Sequence, residues 1–497
     1  MEEIAPGDVQ PLARVHAGMI AQRSSARNSA EGRRSRRGQS AREHLPTLPA
    51  AARIPHPLRM QAASTTRRRV WSSTALLVLG RVFGSLCTFF VLWRLSHALP
   101  AAEFGRFTFW LAVFSVLDTW VDFGTGQTVV ARTAARPAEL PAALAAARRL
   151  RALHGLAGAG FVALAAWIYG EPGATWIVLA ALYPLTHALE LSTVAKRQAI
   201  DYRLHTGTRA LSSTLWVAGT TWLLWRGDHD PAHHLLAIAA GSAVGNLVLH
   251  ALLRRELQPE PAAADAAGLW RASLPLGLAA LFQQAYFWVD NLYVRAWCGE
   301  ELLGAYNIGM RVLSVSIMVV LFATGAALPW FAREHARGAL GAAIESIALP
   351  LLSLACAGAA LLAPWSGEVL ALFGEHARAA RHALPWLLGA VVAIHLGAAL
   401  LTGLVACGER AAVLKISAAA LALNLALNAW LVPARGIDGA AQATLATEAF
   451  VALAGWLALS RLGAAPRVAR LAWLVPPACL VAGWWLSQAA RTAWMAP

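Results

Sequence analysis

Residues 274–297, LPLGLAALFQQAYFWVDNLYVRAW, and residues 303–328, LGAYNIGMRVLSVSIMVVLFATGAAL, are consecutive apolar runs, each long enough to cross a bilayer as a helix. Each carries a charge that lipid should exclude, Asp290 in the first and Arg311 in the second. An ionisable side chain at mid-membrane costs on the order of 2.5–3.5 kcal/mol on insertion scales, so it faces protein or a water-filled cavity and commonly marks a transport path. At 1.5 Å per residue both lie roughly 10–12 Å below the same membrane face. They can therefore pair with each other or line one cavity together.

The whole chain fits this reading. Of 497 residues, 58% are hydrophobic and only 14% charged, with a mean hydropathy of +0.51, outside the range of soluble domains. About thirteen apolar runs of spanning length begin near Trp71, Phe104, Leu153, Ala174, Leu211, His234, Leu274, Leu303, Ala342, Ala383, Ala412, Gly439 and Val468. Lipid offers backbone groups no water partner, and barrel strands are about half as long, so the spans should be helices. The expected fold class is an all-α polytopic membrane protein.

Net charge is +15, and its distribution is periodic. Arg132, Arg136, Arg148, Arg149 and Arg151 follow span two; Lys196, Arg197, Arg203 and Arg209 follow span four; Arg254, Arg255 and Arg271 follow span six. Arg333, Arg337, Arg410, Lys415, Arg461, Arg467 and Arg470 continue the series. The intervening loops hold Glu171, Asp228, Asp230, Glu300, Glu301, Glu368 and Glu375. By the positive-inside rule the amino terminus and every even loop are cytoplasmic, so the basic balance reports topology rather than nucleic-acid binding. Cys87, Cys298, Cys356, Cys407 and Cys479 have no paired or metal-ligand spacing and read as packing residues.

Residues 1–69 are Arg-rich without apolar period and are expected to form a disordered tail able to touch anionic headgroups. Met60, followed by a polar lead and Arg67-Arg68-Arg69, is an alternative start, and forty arginines against two lysines suit a GC-rich genome in which spurious upstream frames are common. Residues 254–271 form a polar, Pro/Ala-rich linker dividing residues 70–253 from 272–461, six spans each, with an extra span and tail at 462–497. A weak repeat supports two halves: Glu103-Phe104-Gly105 enters span two as Glu301 and Gly304-Ala305-Tyr306 enter span eight.

The first half also buries opposite charges in its first hairpin, Arg81 and Asp118, near the midplane at roughly 20 Å depth. Gly84, Ser85 and Thr88 share the face of Arg81, Gln283 precedes Asp290 by two turns, and Asn307 and Ser314 flank Arg311. Such faces build either locked helix contacts or the walls of a hydrated cavity. Two matched pairs favour the cavity. Asn424 and Asn428 read as interhelical hydrogen-bonding residues, and Glu190, His395 and Glu448 are weaker candidates for a proton relay.

Arg81, Arg94-Leu95, Phe104-Gly105-Arg106-Phe107, Asp122-Phe123-Gly124 and Arg132 resemble the first hairpin of Wzx-type polysaccharide-biosynthesis flippases, members of the multidrug/oligosaccharidyl-lipid/polysaccharide exporter superfamily. Pro275-Leu276-Gly277, Asp290, Gly304-Ala305-Tyr306 and Arg311-Val312 resemble the start of that family's second half, and Gly408-Glu409, Asn424, Asn428 and residues 436–441 its spans eleven and twelve. The resemblance covers roughly residues 70 to 460 and implies two six-helix lobes in a V around a central cavity that opens alternately to each side, here with about one extra C-terminal helix. It implies a multi-pass protein of the bacterial inner membrane, no enzyme, moving an undecaprenyl-diphosphate-linked oligosaccharide to the outer leaflet for O-antigen or exopolysaccharide synthesis. Polysaccharide polymerase and glycosyltransferases are the implied partners. No cofactor or metal is implied, and coupling to H+ or Na+ is left open.

On that reading Arg81 and Arg311 meet the phosphates, and Asp118, Gln283, Gln284, Asp290, Asn291 and Asn307 supply hydrogen bonds to sugars. The chain departs from the family's twelve- and fourteen-span patterns by ending after a thirteenth span, Val468 to Leu486, broken at Pro476-Pro477. Rivals are a lipid-II flippase, whose cargo bears the same diphosphate, and an ion-coupled drug exporter, which would favour acids without buried arginines. A membrane glycosyltransferase or polymerase would need catalytic carboxylates on a substantial outer loop, and these loops are short.

Overall fold

The computed structural model describes residues 56–134, 137–194, 196, 201–253, 265–467 and 471–495. Most of the expected tail (1–55), most of the linker (254–264), and Arg136, Arg197 and Arg470 lie outside the described residues. Chain contacts divide Met1–Arg69 from Val70–Pro497, and the second unit forms the helical bundle and its cavities.

Every long element is a helix, as lipid requires of backbone groups without water partners. In order they are α1 (His56–Ala98), α2 (Ala101–Asp122), α3 (Thr125–Ala134), α4 (Leu140–Ile168), α5 (Ala174–Ala180), α6 (Arg203–Trp225) and α7 (Pro231–Leu253). Then come α8 (Ala266–Trp288), α9 (Asp290–Ala336), α10 (Leu340–Leu362), α11 (Ala383–Ala406), α12 (Arg410–Arg461) and α13 (Val475–Met495). Among the described residues nine stretches are long and apolar enough to cross a membrane. Two of them fold back on themselves, α9 at Gly299 (φ 84°) and α12 at Gly436 (φ 59°), positive φ values that glycine adopts without a Cβ penalty. The less apolar α6 and α13 add two helices of spanning length.

Three boundaries correct the sequence expectations. Residues 56–69, expected as tail, are helical and continuous with span one, because helix propagation is cheap once the span has nucleated. Span three starts at Leu140, so Arg148, Arg149 and Arg151 lie within α4 rather than in a loop. Pro476 and Pro477 begin α13 instead of breaking a span, since the first turn has no intrahelical acceptor for their missing N–H groups.

Span four is irregular. After α5 the chain runs through 3-10 turns at Tyr183–Thr186 and Leu191–Thr193, with one α-turn, His187–Glu190, between them. Pro184 enforces the break, and irregular backbone at membrane depth persists where it is enclosed by protein or lines a wet cavity.

The main apolar core joins α2, α9 and α11 through Phe104, Phe107, Trp110, Leu303, Tyr306, Leu384 and Leu387, all at most 1% exposed. At the other end of α2, Phe123 caps the helix in the left-handed region (φ 40°, ψ 38°) and stacks on Trp270 of α8 at 4.6 Å between centroids. The repeated glycines bring α2 and α9 together: a Cβ on Gly304 would come 3.1 Å from the Gly105 nitrogen, and one on Gly105 would strike the Glu300 carbonyl oxygen.

Candidate functional site

A cavity of about 540 Å³ is lined by Arg81 of α1, Asp118 of α2, Arg209 of α6 and Arg311 of α9. Three of the eight residues expected at the site, Arg81, Asp118 and Arg311, therefore share one space. Asp118 accepts a hydrogen bond from the Tyr183 hydroxyl, which the break in span four presents to it, and His187 Nδ1 stands 3.8 Å from the same carboxylate oxygen. Arg81 lies over the Phe322 ring at 5.3 Å. Among the described residues no ion pair holds Arg81, Arg209 or Arg311.

Asp290 lies elsewhere. It is 1% exposed and accepts from the Tyr306 hydroxyl, from Asn291 N at 2.9 Å and from Asn291 Nδ2 at 3.1 Å. Asn307 Nδ2 in turn donates to Asn291 Oδ1 at 2.7 Å and to Thr108 Oγ1 at 3.1 Å. Tyr306, Asp290, Asn291, Asn307 and Thr108 thus form a buried chain that ties α9 to α2. Asp290, Asn291 and Asn307 do not line the arginine cavity, contrary to the expectation, and Asp290 does not pair with Arg311. The reason is helical phase: Tyr306 and Arg311, five residues apart, differ by roughly 140° around the axis, so the face shown to Asp290 cannot carry both. Gln283 and Gln284 are half-buried on α8 and also lie off the cavity lining.

A second cavity of about 250 Å³ shares Asp118 and Arg209 with the first and adds Asp122, Gln127, Arg151, His187 and Glu190. Arg151, 5% exposed, is fully engaged there: it pairs with Asp122 and donates to Thr125 Oγ1 at 3.0 Å and to the His187 carbonyl at 2.9 Å. Of the relay candidates, Glu190 lines this cavity and faces His205 at 3.8 Å. His395 bonds the Val391 carbonyl at 2.8 Å, and Glu448 is buried on α12. Asn424 donates to Thr447 Oγ1 at 3.1 Å across the two arms of α12, and Asn428 donates to Asn424 Oδ1 at 2.9 Å.

The end of the bundle that bears the acidic loops holds a buried ionic cluster. Glu171, with 1% of its side chain exposed, pairs with Arg295 and, at 3.4 Å, with Arg106. Arg106 also holds Glu103 at 2.6 Å and Arg295 holds Glu300 at 2.7 Å. The Arg295 guanidinium lies 4.4 Å from the Phe109 ring centroid and 4.6 Å from that of Tyr169. Arg295 belongs to the apolar run 274–297, but its position near the span end makes it resemble an ordinary interfacial charge in the sequence. Arg209 resembles a loop residue for the same reason. Tyr183 gives no charge signal at all.

Outside the spans, two loop groups are displaced. Burial pushes the His376 imidazole down, His97 adds to this, and Glu301 opposes it. Burial raises the Asp228 carboxyl, but hydrogen bonds from the Asp230 amide and from His233 more than offset this and hold it below the ordinary range.

Residues 70–335 match the family model for polysaccharide biosynthesis protein, and residues 275–430 match the MatE model. No curated protein matches the chain. Among solved structures, the lipid II flippase MurJ in an inward closed conformation superposes with a TM-score of 0.70 at 10% identity, covering 86% of this chain and 93% of that one. A MATE transporter in complex with MaD3S gives 0.60 at 15% identity, covering 80% and 95%. The Vibrio cholerae MATE transporter VcmN in its bent form gives 0.53 at 16%, covering 85% and 99%. At these identities the likeness is one of fold.

Proposed function

Because the chain belongs to the polysaccharide biosynthesis protein family, we propose that it carries a lipid-diphosphate-linked oligosaccharide across the membrane by alternating access. The observation that supports this most is the meeting of Arg81, Arg209 and Arg311, from three helices, in one cavity whose single carboxylate, Asp118, is already held by Tyr183. A diphosphate only accepts hydrogen bonds and carries negative charge, and guanidinium groups only donate and remain charged. Their planar forks match phosphate oxygens in pairs, in a setting where removal from bulk water strengthens each contact. An organic cation would meet three like charges instead, which argues against a drug-exporter reading.

The positive-inside pattern makes the arginine-rich end cytoplasmic, so the Glu171 cluster would close the outer end. Cargo entering from the cytoplasmic side would then be released outward only after the cluster separates. The similarity to the lipid II flippase in fold keeps that cargo as a second reading, since it presents the same diphosphate with a different sugar.

The test is complementation of a strain lacking its own repeat-unit flippase. The wild type should restore surface polysaccharide, and Arg209→Ala and Arg311→Ala should not, at equal membrane abundance. Equal rescue by the alanine variants, or rescue only of a strain lacking its lipid II flippase, would overturn the assignment.

A further inference from the structure

Arg209 stands where the two cavities meet. Arg81 and Arg311 line the first of them but not the second, whereas Arg209 and Asp118 line both. Asp118 is held by the Tyr183 hydroxyl. Arg209 is in no ion pair among the described residues, yet it lies one turn along α6 from His205, whose Nδ1 faces a Glu190 carboxylate oxygen at 3.8 Å. Its guanidinium therefore has Glu190 on one side and the first cavity on the other.

The surroundings of Glu190 are charged and partly fixed. To the second cavity α2 brings Asp118 and Asp122, α4 brings Arg151, the α-turn of span four brings His187, and α6 brings Arg209. From α7, His250 lies against Ser192 at 3.2 Å. The cations that act on Glu190 are Arg209 first, then His187, Arg151 and His205. Arg151 is committed to Asp122, Thr125 and the His187 carbonyl, and the two histidines are cations only when protonated. Among the described residues Arg209 is thus the permanent cation that balances Glu190 without being bound elsewhere. Glu190 itself keeps 20% of its side chain exposed, so a proton can reach it.

A diphosphate in the first cavity draws Arg209 toward itself, because a forked guanidinium–phosphate contact is a strong one. Glu190 is then left without its cation and beside a new anion. Both changes favour the neutral carboxyl.

Resting on the translocation reading, we propose that Glu190 is the resting counterion of Arg209 and takes up a proton when cargo phosphate claims that guanidinium. The proton comes from water in the second cavity and goes to a Glu190 carboxylate oxygen; on cargo release Arg209 returns and the proton leaves. Loading is therefore favoured as pH falls through the range in which the loaded protein binds this proton and the empty one does not.

The purified full chain in lipid nanodiscs is titrated with undecaprenyl diphosphate carrying one N-acetylglucosamine, a probe whose phosphates are both substituted and keep constant charge from about pH 5.5 to about pH 7.5. Wild type should bind about tenfold more tightly at the lower pH and take up a proton on binding, read with a pH dye in weak buffer. Glu190→Gln should bind at both pH values about as tightly as wild type does at the lower one, without proton uptake, which also shows that it folds. Glu190→Asp and His205→Gln should keep most of the pH dependence. Wild-type affinity independent of pH, a dependence that survives in Glu190→Gln, its loss in His205→Gln, or a Glu190→Gln variant that binds at neither pH overturns the counterion role. Wild type that binds the probe at neither pH overturns the translocation reading itself.

Discussion

Gly105 of α2 and Gly304 of α9 lie against each other, and each occupies the position its half gives to a glycine between an acid and an aromatic ring. The closeness has a direct use. It lets the two helices approach until Glu103 and Arg106 on one side and Arg295 and Glu300 on the other converge on Glu171.

Gly105→Ala should therefore be costly out of proportion to one methyl group, because the new Cβ meets a backbone carbonyl that cannot rotate away. Overpacking of this kind costs about 1–3 kcal/mol. Thermal unfolding in detergent should show a lowered Tm, whereas Gly358→Ala, which meets nothing within 4 Å, should leave it unchanged or slightly raised.

Glu171→Gln should destabilise more than any exposed ion-pair variant. Removing one member of a buried charge cluster leaves the others uncompensated, at a cost of about 3–5 kcal/mol. The control is Glu375→Gln, whose exposed pair with Arg378 at 3.2 Å should contribute no more than about 1 kcal/mol. Comparable Tm values for the two variants would refute the role given to the cluster.

Tyr306→Phe removes the hydroxyl that Asp290 accepts from and should lower stability by about 1–3 kcal/mol. Because Asp290 lies outside the arginine cavity, the variant should still support translocation once its abundance is matched. Arg311→Lys should show the converse: near-normal stability but reduced transport, because an ammonium cannot reproduce the guanidinium fork. Abundance-corrected complementation separates the two classes.

His376 should make the protein acid-sensitive. Its ring packs edge-on against Phe104, 6.0 Å between centroids, and its buried Nε2 has no partner. The fold holds this imidazole below its ordinary value of about 6.5, so it is neutral in the native state at pH 7. The unfolded chain binds a proton first as pH falls, so the stabilisation is complete above about 6.5 and is lost below it. His376→Gln should flatten the fall of Tm between pH 7 and pH 5 relative to wild type.

Much of this architecture is readable from residue order. Apolar runs of spanning length fall where helices form, and Gly299 and Gly436 mark their turns. The late start expected for span three has a local cause: α4 carries Arg148, Arg149 and Arg151 within its first half, so hydropathy places its start too late. Arg151 is nonetheless buried, because Asp122, Thr125 and the His187 carbonyl satisfy its guanidinium. Partners that distant in sequence leave no local signal.

The candidate site divides in the same way. That Arg81, Asp118, Asp290 and Arg311 must be sheltered from lipid follows from sequence alone, because hydrocarbon penalises charge wherever it falls in a span. Which of them share a cavity does not follow from depth. Rotation of each helix about its axis decides it, turning Tyr306 toward Asp290 and Arg311 toward Arg81 and Arg209. That rotation is set by packing at Gly105 and Gly304 and by the break at Pro184, which delivers Tyr183 to Asp118. The sequence determined that these charges need protein around them; the tertiary structure decided which receive a partner and which face an open space.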